Sequence, residues 1–400
     1  MNLKFEMEDE GVASAARIKV IGVGGGGSNA VAHMMASGLE GVEFHVMNTD
    51  IQALRASPVP NKLAIGCKIT QGRGAGADPE IGKQAALEDT ERISELLQGA
   101  DLVFVTAGMG SGTGTGAAPV VSGFAKEMNA LTVAIVTMPF AFEGERRLRQ
   151  AEAGLAELAG NVDTVITIPN ERLLALAPRG TSILEAFKMG HDFLRRTVQD
   201  LVEIVTTSGF INRDFSDVRS TLVGMGYAVL GTATARGDNA VIEAARQAIS
   251  CPLIDQTGIR GARNVLLNVT GSMRLGLHEV NDACQMIRQA AGRNDVQVNF
   301  GLTFNEDMAD SVKVTLIASG FPERGQMMET VEEQSASQSG WLSESQPEAP
   351  APVPVPVAVP EPVAVAVETK PPNGTPALPP VEELDDLDKP AYLRQRRVLH

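Results

Sequence analysis

The chain has 400 residues, 44% of them hydrophobic, which is enough to fill two ordinary cores. A formal net charge of −15 and an aromatic content of 4% argue against the basic surface and the stacking platforms of nucleic-acid binders, although backbone N–H groups can still hold one small phosphate ligand. Cys67, Cys251 and Cys284 form no CxxC or Cys/His cluster, so reduced, packed thiols are expected, with no disulfide framework and no zinc. The acidic start MNLKFEMEDEG lacks the apolar run of a signal peptide, and no stretch of about 18 apolar residues offers a membrane span. The expectation is a cytoplasmic protein that does not insert into membranes.

In chain order, residues 1–16 read as a flexible N-terminus and 17–181 as a nucleotide-binding α/β domain. RIKVIGV (17–23) is an apolar strand ending in a glycine loop, and a helical run follows from about Asn29. VEFHVMNTD is a strand ending at Asp50. DLVFVTAGMG (101–110) and LTVAIVTMPF (131–140) are near-continuous apolar strands with a helix between them. Strands apolar on both faces and alternating with helices predict a parallel sheet covered on both sides, a Rossmann-like arrangement. Ser182 and Glu185 form a capping box for a central helix over 182–207, with apolar residues at Ile183, Phe187, Leu194, Val198, Leu201 and Val205. At about 25 residues it would span roughly 37 Å.

Residues 208–320 read as a second α/β domain. GYAVLGTATA, RNVLLNVTG, VQVNFGLTF and SVKVTLIAS are strand-like and alternate with helical NAVIEAARQAIS and HEVNDACQMIRQAA. Composition then changes. Fourteen of the 22 prolines fall between Pro322 and Pro390, so 321–381 is expected to be a disordered linker of extended polyproline character. Residues 382–400 close the chain with an acidic run, an apolar Pro-Ala-Tyr-Leu patch and a basic end, the pattern of a peptide that orders on a partner.

Two loops carry phosphate chemistry. GVGGGGSNA (22–30) joins strand to helix, Gly22, Gly24 and Gly27 fit G-x-G-x-x-G, and Asp50 ends the next strand. By itself this is compatible with a dinucleotide site. GMGSGTGTGAAP (108–119) repeats the strand–loop–helix context with Ser111, Thr113 and Thr115 between its glycines, and no GxxxxGK[ST] is present. Two anion-binding loops on neighbouring parallel strands point to a nucleoside triphosphate held without a P-loop lysine, and the small-residue loop GRGAGADPE (72–80) could close over its terminal phosphate.

GSGTGTG, with GVGGGGSNAV, NTD at 48–50, IPN at 168–170 and the C-terminal DDLDKPAYLR, resembles the bacterial cell-division proteins of the tubulin/FtsZ family, in order from residue 17 to about 320. Ser111 stands where that family's signature has a second glycine. The resemblance implies a polymerising GTPase that forms head-to-tail filaments at a midcell division ring beneath the inner membrane. It implies GTP and GDP held by Gly24, Gly25, Gly26, Gly27 and Ser28 and by Gly108, Met109, Gly110, Gly112, Thr113 and Gly114, with Asn29 near the base. Glu143 and Arg147 would contact the sugar region, and Asn170, Phe187 and Asp192 would bind guanine. The last choice also suits chemistry, since a carboxylate accepts from guanine N1–H and N2–H₂ while a ring stacks on the base. Mg²⁺ is expected with the triphosphate, held mostly by phosphate and water.

Asn212, Asp214 and Asp217, in GFINRDFSDVRS, place an amide and two carboxylates where they could polarise water or hold a cation, or else cap a loop between domains. At the far end of a long helix they cannot reach the glycine loops of their own subunit. The resemblance implies that they complete a neighbour's GTPase site, and that residues 384–400 bind membrane-tethering and regulatory division proteins. Two rival readings remain open: a Rossmann oxidoreductase, and a nucleotide-binding structural protein without turnover.

Overall fold

The computed structural model describes residues 16–321 except 179, 207–214, 253, 255–257, 274 and 294. The expected linker beyond Phe321, the tail peptide and the N-terminal 15 residues lie outside the described residues.

Apolar, β-branched segments form the strands β1 (Ile18–Val23), β2 (Glu43–Asn48), β3 (Asn61–Ala64), β4 (Leu102–Gly108), β5 (Leu131–Met138), β6 (Thr164–Pro169), β7 (Gly226–Arg236), β8 (Asn264–Gly271), β9 (Gln297–Phe304) and β10 (Ser311–Ser319). The helices among the first strands are α1 (Gly24–Ala36), α2 (Ile51–Ala56), α3 (Cys67–Thr70), α4 (Pro79–Glu88), α5 (Thr90–Leu97), α6 (Gly112–Glu127), α7 (Glu145–Asn161) and α8 (Asn170–Leu176). The central helix α9 (Ile183–Thr206), α10 (Phe215–Leu222), α11 (Ala240–Ile249) and α12 (Leu277–Ala291) complete the set. One sheet runs in the order β3-β2-β1-β4-β5-β6-β7-β10-β8-β9. All neighbours are parallel except β7/β10 and β10/β8. The two α/β regions expected from the sequence are therefore halves of one sheet, joined where β6 and β7 pair over Thr164–Ile166 and Gly226–Ala228.

The strands feed both faces, which is why they read as continuous apolar runs. Val20, Phe104, Val133 and Ile135 pack with Val31 and Met34 of α1, Leu194, Val198 and Leu201 of α9, and Val218 and Leu222 of α10. Their neighbours Ile21, Val103, Val105, Ala134 and Val136 pack on the other side with Val121 of α6, Leu155 of α7 and Ile93 of α5. Each fully buried Leu, Ile or Phe contributes about 1.5–3 kcal/mol of transfer free energy. Leu266 and Ile317 share the first of these cores, so α9 packs on both halves of the sheet, while β8, β10 and α11 build a third core of their own.

The capping box of α9 is present. Ser182 N and Oγ each donate to Glu185 Oε2 at 2.8 Å, and Glu185 N donates to Ser182 Oγ at 3.2 Å. Toward its other end, Lys313 of β10 pairs with Asp200 at 2.6 Å and Glu203 at 3.0 Å, tying the helix to the second half.

Candidate functional site

The first six strands have the order 3-2-1-4-5-6, which reverses direction between β1 and β4. At such a switch point the crevice outside the carboxyl ends of the strands takes the ligand. Both glycine loops emerge there, and each opens a helix, α1 after β1 and α6 after β4. The loops touch backbone to backbone. A Cβ on Gly24, whose φ is +71°, would lie 2.8 Å from Gly114 N, and one on Gly27 would lie 2.2 Å from Thr106 O. Only glycine permits that approach.

Gly25 is exposed and has open space where a Cβ would point, so the first turn of α1 faces the crevice. Two helix N-termini, each with unpaired N–H groups and a positive dipole end, converge on one edge without a lysine. Ser111 sits at φ −97°, ψ 169°, ordinary extended backbone, and its Oγ donates to Gly108 O at 2.9 Å. The serine is thus accommodated without strain. The neighbouring Gly110, at φ +82°, makes the left-handed turn. Thr113 and Thr49 join hydroxyls at 2.7 Å. The 72–80 loop lies against the start of α6, where Ala75 Cβ and Asp78 N are each 2.9 Å from a Cβ position on Gly112. Asp50 caps α2, accepting from Gln52 N at 2.8 Å and Ala53 N at 3.2 Å, so the carboxylate that supported a dinucleotide reading is already committed.

Beside the loops an open cleft is lined by Gly26, Gly108, Met109, Glu143, Arg147, Asn170 and Phe187 together with Thr137, Pro139, Gly190 and His191. Seven of the expected site residues therefore meet on one wall-and-floor arrangement at the carboxyl ends of β4, β5 and β6. Glu143 pairs with Arg147 at 2.7 Å and accepts from Phe140 N at 2.9 Å. Phe187 stands edge-on to Phe140 at 5.3 Å, and Phe140 stacks on the exposed Phe142 at 4.9 Å. Asn170 is only 7% exposed and its Oδ1 has no partner. A buried acceptor left open in a cleft is free to receive a donor from a ligand or water. Ser28 and Thr115 also keep buried, unpartnered hydroxyls in the two loop–helix units.

Asp192 and Asn29 are not part of this lining. Asp192 stands five residues after Phe187, about 140° round a helix, whereas Gly190 and His191 at three and four share its face. Asp192 instead binds Arg195 Nε and Arg196 Nε, each at 2.9 Å, and these arginines hold its carboxyl below the usual range although partial burial works against them. Thr137, Pro139, Gly190 and His191 were not singled out by sequence reasoning. The helical spacing from Phe187 was the available signal for the last two.

Asn212 and Asp214 lie outside the described residues. Asp217, in the first turn of α10, lies at the opposite edge of the sheet. Arg219 donates to Asn129 O at 3.1 Å and Oδ1 at 2.8 Å, ahead of β5, and Leu222 O accepts from Thr164, the first residue of β6. The glycine loops follow the carboxyl ends of β1 and β4, parallel to β5 in the same sheet, about 26 Å away over an eight-residue strand at roughly 3.3 Å per residue. Among the described residues no group of three or more His, Cys, Asp or Glu is placed to hold a metal, and no helix is long and apolar enough to cross a membrane.

Residues 17–178 match the GTPase domain of the Tubulin/FtsZ family, and residues 226–322 match the C-terminal domain of the FtsZ family. An empty FtsZ dimer from M. jannaschii is 37% identical over 76% of this chain and 88% of its own, with a TM-score of 0.69. The chain belongs to the FtsZ family. Its FtsZ-type GTPase domain implies GTP and GDP binding in the first half of the molecule. CetZ2 from Haloferax volcanii, a GTPγS-bound protofilament, is 23% identical over 81% of this chain and 99% of its own, with a TM-score of 0.67. The GDP-bound monomer of CetZ1 from the same organism is 21% identical over 80% of this chain and 99% of its own, at 0.68. These two share the fold.

Proposed function

We propose that this FtsZ-family chain is a polymerising GTPase whose active site is completed by the next subunit in a head-to-tail filament. The observation that carries the reading is the placement of two phosphate-binding loop–helix units at the carboxyl edge of the sheet and of Asp217 at its amino edge. Edges that far apart meet only when one subunit stacks on another, and a heterologous contact of that kind builds an open filament. The M. jannaschii relative is a dimer and CetZ2 a protofilament, which supports self-assembly.

In this reading Gly24–Ser28 and Gly108–Gly114 wrap the phosphates through backbone N–H groups, Glu143 and Arg147 face the sugar, and Asn170 and Phe187 take the guanine. The loops offer hydroxyl and backbone groups rather than carboxylates, which fits Mg²⁺ held mainly by phosphate oxygens and water; when bound it neutralises phosphate charge. Asn212, Asp214 and Asp217 from the neighbour orient and polarise the attacking water. Loss of the terminal phosphate removes contacts across the interface, so hydrolysis drives filament turnover. The filaments form the division ring at the future septum of a bacterial cell, with residues 384–400 binding its membrane tethers and regulators.

Sedimentation with GTP, GDP and a slowly hydrolysed GTP analogue, with phosphate release followed against protein concentration, tests the reading. Turnover per subunit should rise from near zero above a threshold concentration. Turnover that is constant down to the most dilute protein would remove the shared site.

A further inference from the structure

Guanine presents N1–H and N2–H₂ as donors, so a pocket that selects it must offer acceptors. Asn170 Oδ1 is one: it is buried, unpartnered, and 3.5 Å from the point where a side chain on Gly190 would begin. The carboxylate among the cleft residues, Glu143, is engaged by Arg147 and Phe140 N. Asp192 does not line the cleft and is bound to Arg195 and Arg196, with His33 Nε2 of α1 at 3.7 Å. His191 is the group left facing the cleft beside Asn170.

The charged groups facing His191 come from several elements and are of both signs. From α1 comes His33; from α8, Glu171, which accepts from Ala141 N, and Arg172, which donates to Pro252 O. Across the cleft stands the Glu143–Arg147 pair, and on its own helix Lys188, Asp192 and Arg195. The adjoining β5 and β6 segments, LTVAIVTM and TVITIP, carry no titratable group. Burial first, and then His33, push the His191 imidazole below its ordinary value of 6.5.

We propose that His191, rather than Asp192, completes the base-recognition edge with Asn170, accepting from guanine through a neutral ring nitrogen, so that nucleotide binding is coupled to loss of the His191 proton. The proposal rests on reading the cleft as a guanine-nucleotide pocket. A neutral imidazole has one acceptor nitrogen and an imidazolium none. Affinity is therefore flat at neutral pH and falls at acid pH by up to about tenfold per unit as the ring protonates in the free protein. Asn170 Oδ1 and one imidazole nitrogen give the two guanine donors neutral acceptors only, so preference over hypoxanthine, which lacks the N2 amine, is smaller than a carboxylate at position 191 would give.

The test is calorimetric titration of the full chain with GDP and IDP from about pH 8 to about pH 5, for wild type, His191→Asn and His191→Asp. His191→Asn keeps an acceptor but does not titrate, and its ratio to wild type cancels titration of the phosphate. The wild-type affinity should fall relative to His191→Asn toward pH 5, and His191→Asp should raise the GDP-to-IDP preference by about tenfold. In the wild type alone, GDP should lower the NMR titration midpoint of the His191 ring, a readout independent of how the variants fold. A wild-type to His191→Asn ratio that stays constant with pH, or a ring midpoint that GDP leaves unmoved, overturns the proposal. A wild type that binds no GDP at any pH removes the nucleotide reading beneath it.

Discussion

Replacing Gly25 by Asp should stabilise the empty protein and weaken its hold on nucleotide, two effects of opposite sign from one carboxylate. A Cβ at Gly25 meets nothing within 4 Å, and the residue lies in the first turn of α1. Without ligand, the new charge faces the positive end of the helix dipole and replaces a flexible glycine, which together are worth up to about 1 kcal/mol. With ligand, it opposes phosphate. At a separation of about 5 Å and an effective dielectric between about 20 and 80, the repulsion is roughly 0.8–3.3 kcal/mol per phosphate charge. That corresponds to GDP binding about 4- to 250-fold weaker. Gly25→Ala is the neutral control and should bind like wild type. Gly27→Ala tests the loop itself: its Cβ would lie 2.2 Å from Thr106 O, a backbone atom of β4, so it should destabilise by about 1–3 kcal/mol. Thermal unfolding without nucleotide and calorimetric titration with GDP separate these outcomes. A Gly25→Asp protein that binds GDP as tightly as wild type at low salt would refute the placement of phosphate at this helix.

Three further outcomes are expected. Lys313→Met leaves the buried Asp200 carboxylate without its 2.6 Å partner and should cost about 3–5 kcal/mol in urea unfolding, with Asp200→Asn added on top restoring part of the loss. Burial holds His45 below 6.5, so the unfolded chain takes up a proton there before the folded one does; stability should fall as pH drops below 6.5, and His45→Gln should flatten that fall in urea midpoints. Removing residues 384–400 should leave GTP turnover and sedimentation unchanged while abolishing binding to membrane-tethering division proteins, and a truncated chain that lost nucleotide binding would refute the assignment of these residues to partner binding alone.

The elements legible in the sequence were those whose burial leaves a pattern. β1, β4 and β5 are apolar on both faces because helices cover both, and α9 announces itself with a capping box and a sustained apolar stripe. β3, four residues with two exposed, and β6, a short TVITIP segment with two threonines and a terminal proline, carry too little of that pattern and are not expected from the sequence. The glycine loops were legible because close backbone approach admits no other residue at Gly24 or Gly27. The base edge was less so. A carboxylate at Asp192 matches guanine chemically, but side-chain direction on a helix follows its phase, and of the two residues His191 lines the cleft while Asp192 does not. That the two α/β halves share one sheet was also hidden, since strand pairing across β6 and β7 depends on a contact about 60 residues apart that no local pattern encodes.

The shared site can be tested by mixing two subunits that turn over little alone, at a GTP concentration too low to fill the Gly25→Asp pocket. Asp217→Ala should still bind GDP, because its helix α10 lies at the sheet edge opposite the glycine loops. Gly25→Asp supplies a subunit with a crippled pocket and an intact Asp217. It is a better choice than a substitution at Gly114, where any Cβ would sit 2.8 Å from both Gly108 O and Ser111 Oγ and disturb the loop. In a mixed filament, turnover requires the pocket of an Asp217→Ala subunit to face the α10 edge of a Gly25→Asp subunit. Random copolymerisation at equal amounts makes about one interface in four of this kind, so recovered activity should peak near equal mixing at roughly a quarter of wild type. Phosphate release against mixing ratio reads this directly. A flat, inactive profile from mixtures that do sediment together would mean that Asp217 does not act across the interface. Wild-type turnover by Asp217→Ala alone would reduce Asp217 to a helix cap, and failure of that variant to bind GDP would place its action within its own subunit, against the head-to-tail arrangement.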